Sequence, residues 1–178
     1  MNSSVRTIKH NLKHDTGGMW ARYKDSSMIS IIKYEAKYAA VFKQLNLEWL
    51  DKYGLTEEAD LAMLDDPEGQ IINTGGCIFL AKDGEAIVGS AALIKEAEGV
   101  FELAKMAVSA SWQGKGISKL LIQRCLDTAK ELGARRIFLV SNSQLQTAIH
   151  LYENYGFRHV PLVNAHYLSA DIMMELML

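Results

Sequence analysis

The chain has few cysteines and no long apolar run. Its 178 residues contain two cysteines, Cys77 and Cys125, both inside apolar stretches. Two thiols cannot build a disulfide framework, so they read as buried free cysteines in a reducing compartment. No stretch is apolar for long enough to cross a bilayer, and the opening MNSSVRTIKHNLKHDTGG lacks the apolar centre of a signal peptide. A cytoplasmic protein with no membrane partner is the expectation. Charge of one sign is lacking too. Nineteen Lys and Arg stand against 21 Asp and Glu, for a formal net charge of −2, which gives no reason to expect nucleic acid. No internal repeat or low-complexity tract is visible. A Gly-x-x-x-x-Gly-Lys-Ser/Thr nucleotide loop is missing, as are a Ser/His/Asp order and a Cys/His cluster. His10 and His14 have the i, i+4 spacing of a helical metal pair, but Asn11 stands where a zinc protease needs glutamate. No metal is expected.

What is present is an ordinary soluble composition, 49% hydrophobic and 22% charged, at the length of one domain or one domain with an extension. Residues 1–27 are polar, are broken by Gly17-Gly18 and read as an N-terminal extension. A single domain over 28–178 follows. Within it, Ile29–Lys33 reads as a strand and Ala36–Lys52 as a helix. Thr56 reads as the N-cap of a second helix ending near Leu64, followed by a turn at Asp66-Pro67. Cys77–Lys82 and Ala86–Lys95 flank Asp83-Gly84, a hairpin signal. Val100–Val108 is the next strand, 117–132 a long helix closed by Gly133, and Arg136–Val140 a buried strand. Leu145–Tyr155 reads as a helix capped by Gly156, with Phe157–Val160 and Asp171–Leu176 as closing strands. Strand 100–108, helix 117–132 and strand 136–140 form a βαβ unit, which implies parallel pairing and a right-handed crossover.

The turn into the long helix, SWQGKGIS (111–118), is the most informative segment. A glycine-rich turn at a helix start presents backbone N–H groups and a positive dipole end to an anion. Gly114 and Gly116 tolerate φ > 0 and allow close approach of a ligand such as a pyrophosphate. On the helix, Leu121, Ile122, Cys125, Leu126, Ala129 and Leu132 form one apolar face at 100° per residue, with Ser118 near its middle.

These residues, Gln113-Gly114-Lys115-Gly116-Ile117-Ser118, resemble the Arg/Gln-x-x-Gly-x-Gly/Ala signature of the GNAT acyl-CoA-dependent N-acetyltransferases, departing from it at Ser118. A second block, AIHLYENYGF (148–157), resembles that family's AIxLYxKxGF, and ELAKMAV (102–108) its central strand. The resemblance covers roughly 28–178. It implies an α+β fold with a twisted mixed sheet of about six to seven strands and helices on both faces, whose central strands splay to receive the pantetheine arm. It implies acetyl transfer from acetyl-CoA to a primary amine of a small molecule or peptide by direct attack in a ternary complex, and it allows a homodimer. A non-catalytic acyl-CoA-binding module on the same fold is the alternative.

The resemblance also suggests roles. Tyr152 has the place of the tyrosine that faces the CoA sulfur, and helical phasing points it inward with Leu145, Ala148 and Ile149. Its other reading is a core tyrosine satisfied by backbone. Tyr155 reads as packing. Glu102 has the place of a glutamate that deprotonates the amine through water. In strand alternation it shares a face with Val100, Ala104 and Met106, unless a bulge interrupts the strand. It reads otherwise as an edge acid or as the partner of Lys105. Backbone groups of Met106, Ala107 and Val108 would meet the carbonyl and pantetheine. The N–H groups from Gln113 to Ser118 would meet the pyrophosphate, with Lys115 and Lys119 as point charges or solvated lysines. Asn142 either contacts CoA or closes a Ser-Asn-Ser turn. His150 reads as a surface residue, and His159 and His166 as residues with access to the acceptor side. Tyr53 to Ala81 contains no Lys or Arg but has Glu57, Glu58, Asp60, Asp65, Asp66 and Glu68. That stretch reads either as a negative field favouring a cationic acceptor or as a solvated helix face.

Overall fold

A computed structural model describes residues 20–22, 28–163 and 167–178. His10, His14 and His166 lie outside the described residues. Eight strands form one sheet in the order β1-β2-β3-β4-β5-β6-β8-β7. They are β1 (Trp20–Arg22), β2 (Met28–Lys33), β3 (Cys77–Asp83), β4 (Ala86–Ala97), β5 (Val100–Val108), β6 (Arg136–Ser141), β7 (Arg158–Val160) and β8 (Ile172–Met177). The helices are α1 (Ala39–Tyr53), α2 (Glu58–Asp65), α3 (Ile117–Glu131) and α4 (Gln146–Asn154). The α+β class and the mixed sheet agree with the sequence reading, and one more strand is present than the six to seven expected. That strand is β1, three residues paired antiparallel with β2.

Two apolar layers hold the helices to the sheet. On one face Phe42 of α1 and Leu64 of α2 pack with Ile78, Leu80, Ala92 and Ile94. On the other, α3 inserts Ile117, Leu121, Ile122, Cys125, Leu126 and Ala129 against Phe79, Ala91, Leu93, Phe101 and Leu103, and α4 adds Ile149 and Tyr152. The buried stripe of α3 therefore begins at Ile117. Ser118 sits at its margin, half-buried, and Leu132 is exposed at the helix end. Both positions correct the helical-wheel reading. Cys77 and Cys125 are free thiols, the first only half-buried. The N-cap of α2 is Glu57 rather than Thr56. The Thr56 hydroxyl donates to Asp51, while the Glu57 N–H is taken by Asp60 at 3.3 Å, which starts the helix one residue later.

Two irregularities in β5 shape the interior. The first is its parallel pairing with β6, which runs only over Val100–Glu102 opposite Arg136–Phe138. Beyond Glu102 the strands part, and the backbone of Leu103–Val108 has no strand partner on that side among the described residues. The second is a bulge. Ser90 of β4 pairs with Ala107 and Ala92 with Ala104, so Ala91 faces two residues, Lys105 and Met106. Lys105 has φ 51°, the one non-glycine among the described residues with φ > 0.

Candidate active site

The parting of β5 and β6 opens a cleft of about 670 Å3. Leu103–Val108 forms its floor on β5 and Val140–Asn142 the opposite wall at the end of β6. Gln113, Gly114, Gly116, Ser118 and Lys119 stand at one end. Asn46, Trp49, Tyr53, Asp60 and Tyr167 line the cleft too, as do Glu102 and Tyr152.

The end at Gln113–Lys119 is built as a helix start. Gly114 and Gly116 have φ 74° and 76°, and Gly116 is the N-cap of α3. No side chain caps this end, and while Lys119 N–H donates to Gly116 O at 3.0 Å, the N–H groups of Ile117 and Ser118 before it suit a ligand. The Gln113 side chain donates to Val108 O at 3.0 Å and so ties this turn to the end of β5. Not every residue of the segment reaches the cleft. Ile117 is buried in the core, and Lys115 lies over the Trp112 ring at 4.3 Å from its centroid. Both are absent from the cleft wall, whereas Lys119 lines it. Asn142 lines the cleft as well, and both ends of its amide are engaged locally. Nδ2 donates to Ser169 O at 2.7 Å and Oδ1 accepts from Gln144 N–H at 3.0 Å, the bonding of an Asx turn.

Tyr152 points inward from α4, edge-on to Phe157 at 6.0 Å between centroids. Its hydroxyl has no hydrogen-bond partner among the described residues. Burial, with a smaller contribution from Cys125, pushes the phenol up to about 12, so it stays protonated and available as a donor at neutral pH. Tyr155 has the packing role expected of it, donating to Lys119 O at 3.0 Å and pinning α4 to α3. His150 is exposed, with Nδ1 at 2.7 Å from Gln146 O, yet it borders the cleft. His159 lies away from it, beside Glu153 at 3.3 Å.

Glu102 is the last β5 residue paired with β6 and is only 4% exposed. Burial raises its carboxyl to about 7, the Glu96 and Asp60 charges add to the rise, and Lys105 opposes it. A carboxylate at the mouth of the splay, poised near neutrality, is suited to accept a proton. It shares its face with Ala104 but not with Met106. Ala104 packs on the α1/α2 layer, whereas Met106 packs on the α3 layer, because the bulge shifts alternation by one residue. Lys105 correspondingly turns to the face of Glu102. Its partner is Asp60 at 2.6 Å rather than Glu102, with Tyr167 Oη at 3.1 Å.

Sequence reasoning named Asp60 only as one of six acids in its stretch and missed Tyr167 altogether. Asp60 carried one usable signal, an acid at the apolar phase of a short helix. Tyr167 lies in an irregular segment with no periodicity to place it. Most carboxylates of the acidic stretch are engaged by partners, and two of the six, Asp60 and Asp65, are paired with a lysine. Glu57 accepts from the N–H groups of Leu168 and Ser169 at 2.8 and 2.7 Å, and Asp60 pairs with Lys105. Asp65 pairs with Lys43, Asp66 accepts from Gly69 N–H, and Glu68 accepts from the Tyr34 hydroxyl. Only Glu58 of the six is exposed without a partner among the described residues.

Comparison with known proteins follows this geometry. The model of the Acetyltransferase (GNAT) family matches residues 39–157. The chain is 31% identical over 129 residues to the uncharacterized N-acetyltransferase YjgM of Escherichia coli, covering 68% of this chain and 75% of that protein. It is also similar to N-acetylaspartate synthetases, such as that of Xenopus tropicalis, but spans only 34% of that protein's length. A GNAT-family acetyltransferase structure from Staphylococcus aureus Mu50 superposes with a TM-score of 0.74 at 25% identity, over 83% of this chain and 97% of that one. A putative acetyltransferase from Salmonella typhimurium, solved with acetyl-CoA, superposes with a TM-score of 0.65 at 19% identity, over 84% of this chain and 93% of that one. At that identity the second likeness concerns the fold.

Proposed function

Because this chain belongs to the Acetyltransferase (GNAT) family and is an acetyl-CoA-dependent N-acetyltransferase, we propose that it transfers the acetyl group to a primary amine of a small molecule or peptide by direct attack, with Glu102 as the base and Tyr152 at the leaving sulfur. The observation that carries this reading is the placement of Glu102. It is buried, holds a proton affinity near neutrality, and stands where β5 leaves β6.

The chemistry runs along the cleft. A lysine-like amine arrives protonated, with a pKa near ~10. Glu102, ionised above about pH 7, draws that proton off directly or through water. The edge of Met106–Val108 that β6 leaves uncovered faces the thioester and pantetheine arm. N–H groups there suit the negative charge that builds on the carbonyl oxygen. The N–H groups from Gly114 to Ser118 and the positive end of α3 suit the pyrophosphate, with Lys119 beside them. Lys115 contributes through its backbone, since its ammonium rests on Trp112. Asn142 shapes the cleft wall.

Tyr152 acts by hydrogen bonding more than by giving up its proton. Its phenol is held at about 12, against a thiol near ~8.5, so full transfer to the leaving thiolate is uphill by several pH units. A donated hydrogen bond stabilises the thiolate without that cost.

The combination of Glu102 and Tyr152 in one cleft favours catalysis over a module that only holds acyl-CoA. CoA release measured across a panel of metabolite amines and basic, neutral and acidic peptides tests the reading. The wild-type chain should turn over at least one amine. Tyr152→Phe should lower the single-turnover rate by about 10²-fold with CoA affinity little changed. Undiminished chemistry in a folded Tyr152→Phe chain would return the tyrosine to the core. Tight CoA binding with no turnover of any amine would favour the binding module.

A further inference from the structure

We propose that Lys105, seated on the β5 bulge between Asp60 and Tyr167, is a positioning residue for acetyl transfer that sets the charge state of Glu102. The proposal rests on the reading of Glu102 as the base.

The bulge exists at a cost. A left-handed backbone is unfavourable for a lysine, and at φ 51° Lys105 adopts it in the middle of a central strand. A buried polar chain holds it there. Asn46 Nδ2 donates to Ser90 Oγ at 3.1 Å, and Ser90 Oγ donates to Lys105 O at 2.9 Å, satisfying a carbonyl that the register shift leaves out of the ladder. The effect of the bulge is an exchange of faces. In regular alternation residue 105 would point to the α3 layer and residue 106 to the side of Glu102. Here Met106 packs on the α3 layer and Lys105 reaches Asp60 of α2.

The ammonium is then confined. The side chains of Lys105 and Asp60 are 5% and 6% exposed, and the pair is 2.6 Å apart. Asp60 is fixed in turn, its second oxygen accepting from Glu57 N–H. A buried ion pair is weak evidence for stability, because desolvation offsets the attraction. Its electrical effect on a third buried group is not offset in the same way. The groups that act on Glu102 are Glu96 of β4, Asp60 of α2, Lys105 of β5 and Tyr167 of the segment before β8. Among these described neighbours Lys105 is the only cation. Glu96 and Asp60 favour the protonated carboxyl, and Lys105 alone opposes them. Without it, Glu102 would keep its proton at pH values where a base must be ionised.

The test reads Glu102 itself. Its carboxyl is labelled with carbon-13 in the full chain, and its titration is followed by NMR in wild type, Lys105→Met, Lys105→Arg and Asp60→Asn. The pH profile of CoA release is recorded in parallel with the best acceptor of the amine panel. Lys105→Met should move the Glu102 titration and the acid limb of kcat/KM upward by about one pH unit, and Asp60→Asn should move both downward by a smaller amount. Lys105→Arg should restore both to near the wild-type position. A Glu102 titration unmoved in folded Lys105→Met, or displaced the same way in both variants, overturns the proposal. If Lys105→Met does not fold, Asp60→Asn decides alone, and an unchanged or upward titration there overturns it. Glu102→Gln separates the two readings. If that variant keeps its rate and its acid limb, Glu102 is not the base, while the NMR titrations still report whether Lys105 sets its charge.

Discussion

The two faces of the sheet are made of different material. Under α3 and α4 the fully buried residues are apolar apart from the Tyr152 hydroxyl and the Cys125 thiol, and the half-buried Arg124 lies over Phe79 with its Nε enclosed. Under α1 and α2 lie all four of the buried polar or charged residues found among the described ones, Asn46, Asp60, Ser90 and Glu102. They are not scattered. Asn46 and Ser90 secure the bulge, Asp60 receives the lysine that the bulge presents, and Glu102 stands beside that pair. One face supplies cohesion, and the other holds strain and buried charge where the chemistry is proposed. Functional sites commonly concentrate such local costs.

Mutations that act on one face at a time sharpen this contrast. The largest effect on stability should come from the apolar face. Leu121→Ala leaves a cavity beneath α3 and should lower the unfolding free energy by ~2–5 kcal/mol in urea denaturation, with turnover per folded molecule largely retained below the transition.

On the polar face the sign should reverse. Glu102 titrates near 7 in the folded chain against an ordinary value of 4.5. Between those values the folded state binds more protons than the unfolded state, so this group's contribution to stability falls as pH rises. Above pH 7 its full burden is present, about 3 kcal/mol. Glu102→Gln should therefore raise the melting temperature at pH 8 and leave it nearly unchanged at pH 4, while activity is lost. A variant destabilised at pH 8 would mean that the buried carboxylate is held by partners rather than opposed by them.

The smallest effect is expected at Ser90→Ala, about 1–2 kcal/mol from the lost hydrogen bonds to Lys105 O and from Asn46 Nδ2. Its consequence for turnover should exceed what that stability change suggests, because the bulge that turns Lys105 loses its tie. Equal kinetics in Ser90→Ala and wild type would show that the bulge stands without it.

Periodicity made most of the fold legible. The hairpin at Asp83-Gly84, the length of α3 and the βαβ order depend on nearest-neighbour preferences and on patterns of two and 3.6 residues, which a sequence carries openly. The glycine turn stands out because it separates a strand pattern from a helix pattern, and the resemblance singled out Glu102 and Tyr152 by their places in its motifs. The misplaced positions share a different cause. Met106 and Lys105 trade faces because one residue of β4 opposes two of β5, a relation between strands. Asn142 and Lys115 have their polar groups engaged by local partners, an Asx turn and an aromatic ring, that compete with any ligand. The acidic run from 57 to 68 has no cation within it, and its charges are met by Lys43, Lys105 and backbone N–H groups brought in from elsewhere in the chain.

Element identity, strand and helix order and the glycine-rich turn were thus determined by the sequence itself, since local sterics and apolar periodicity suffice for them, while the roles proposed for Glu102 and Tyr152 came from the resemblance of their motifs to the family's. The separation of β5 from β6 after Glu102, the turning of Lys105 into the cleft and its capture by Asp60 and Tyr167 were decided only in the tertiary structure. Strand register and long-range charge pairing depend on which segments meet, and residues 45 and 62 positions apart carry no local mark of their meeting.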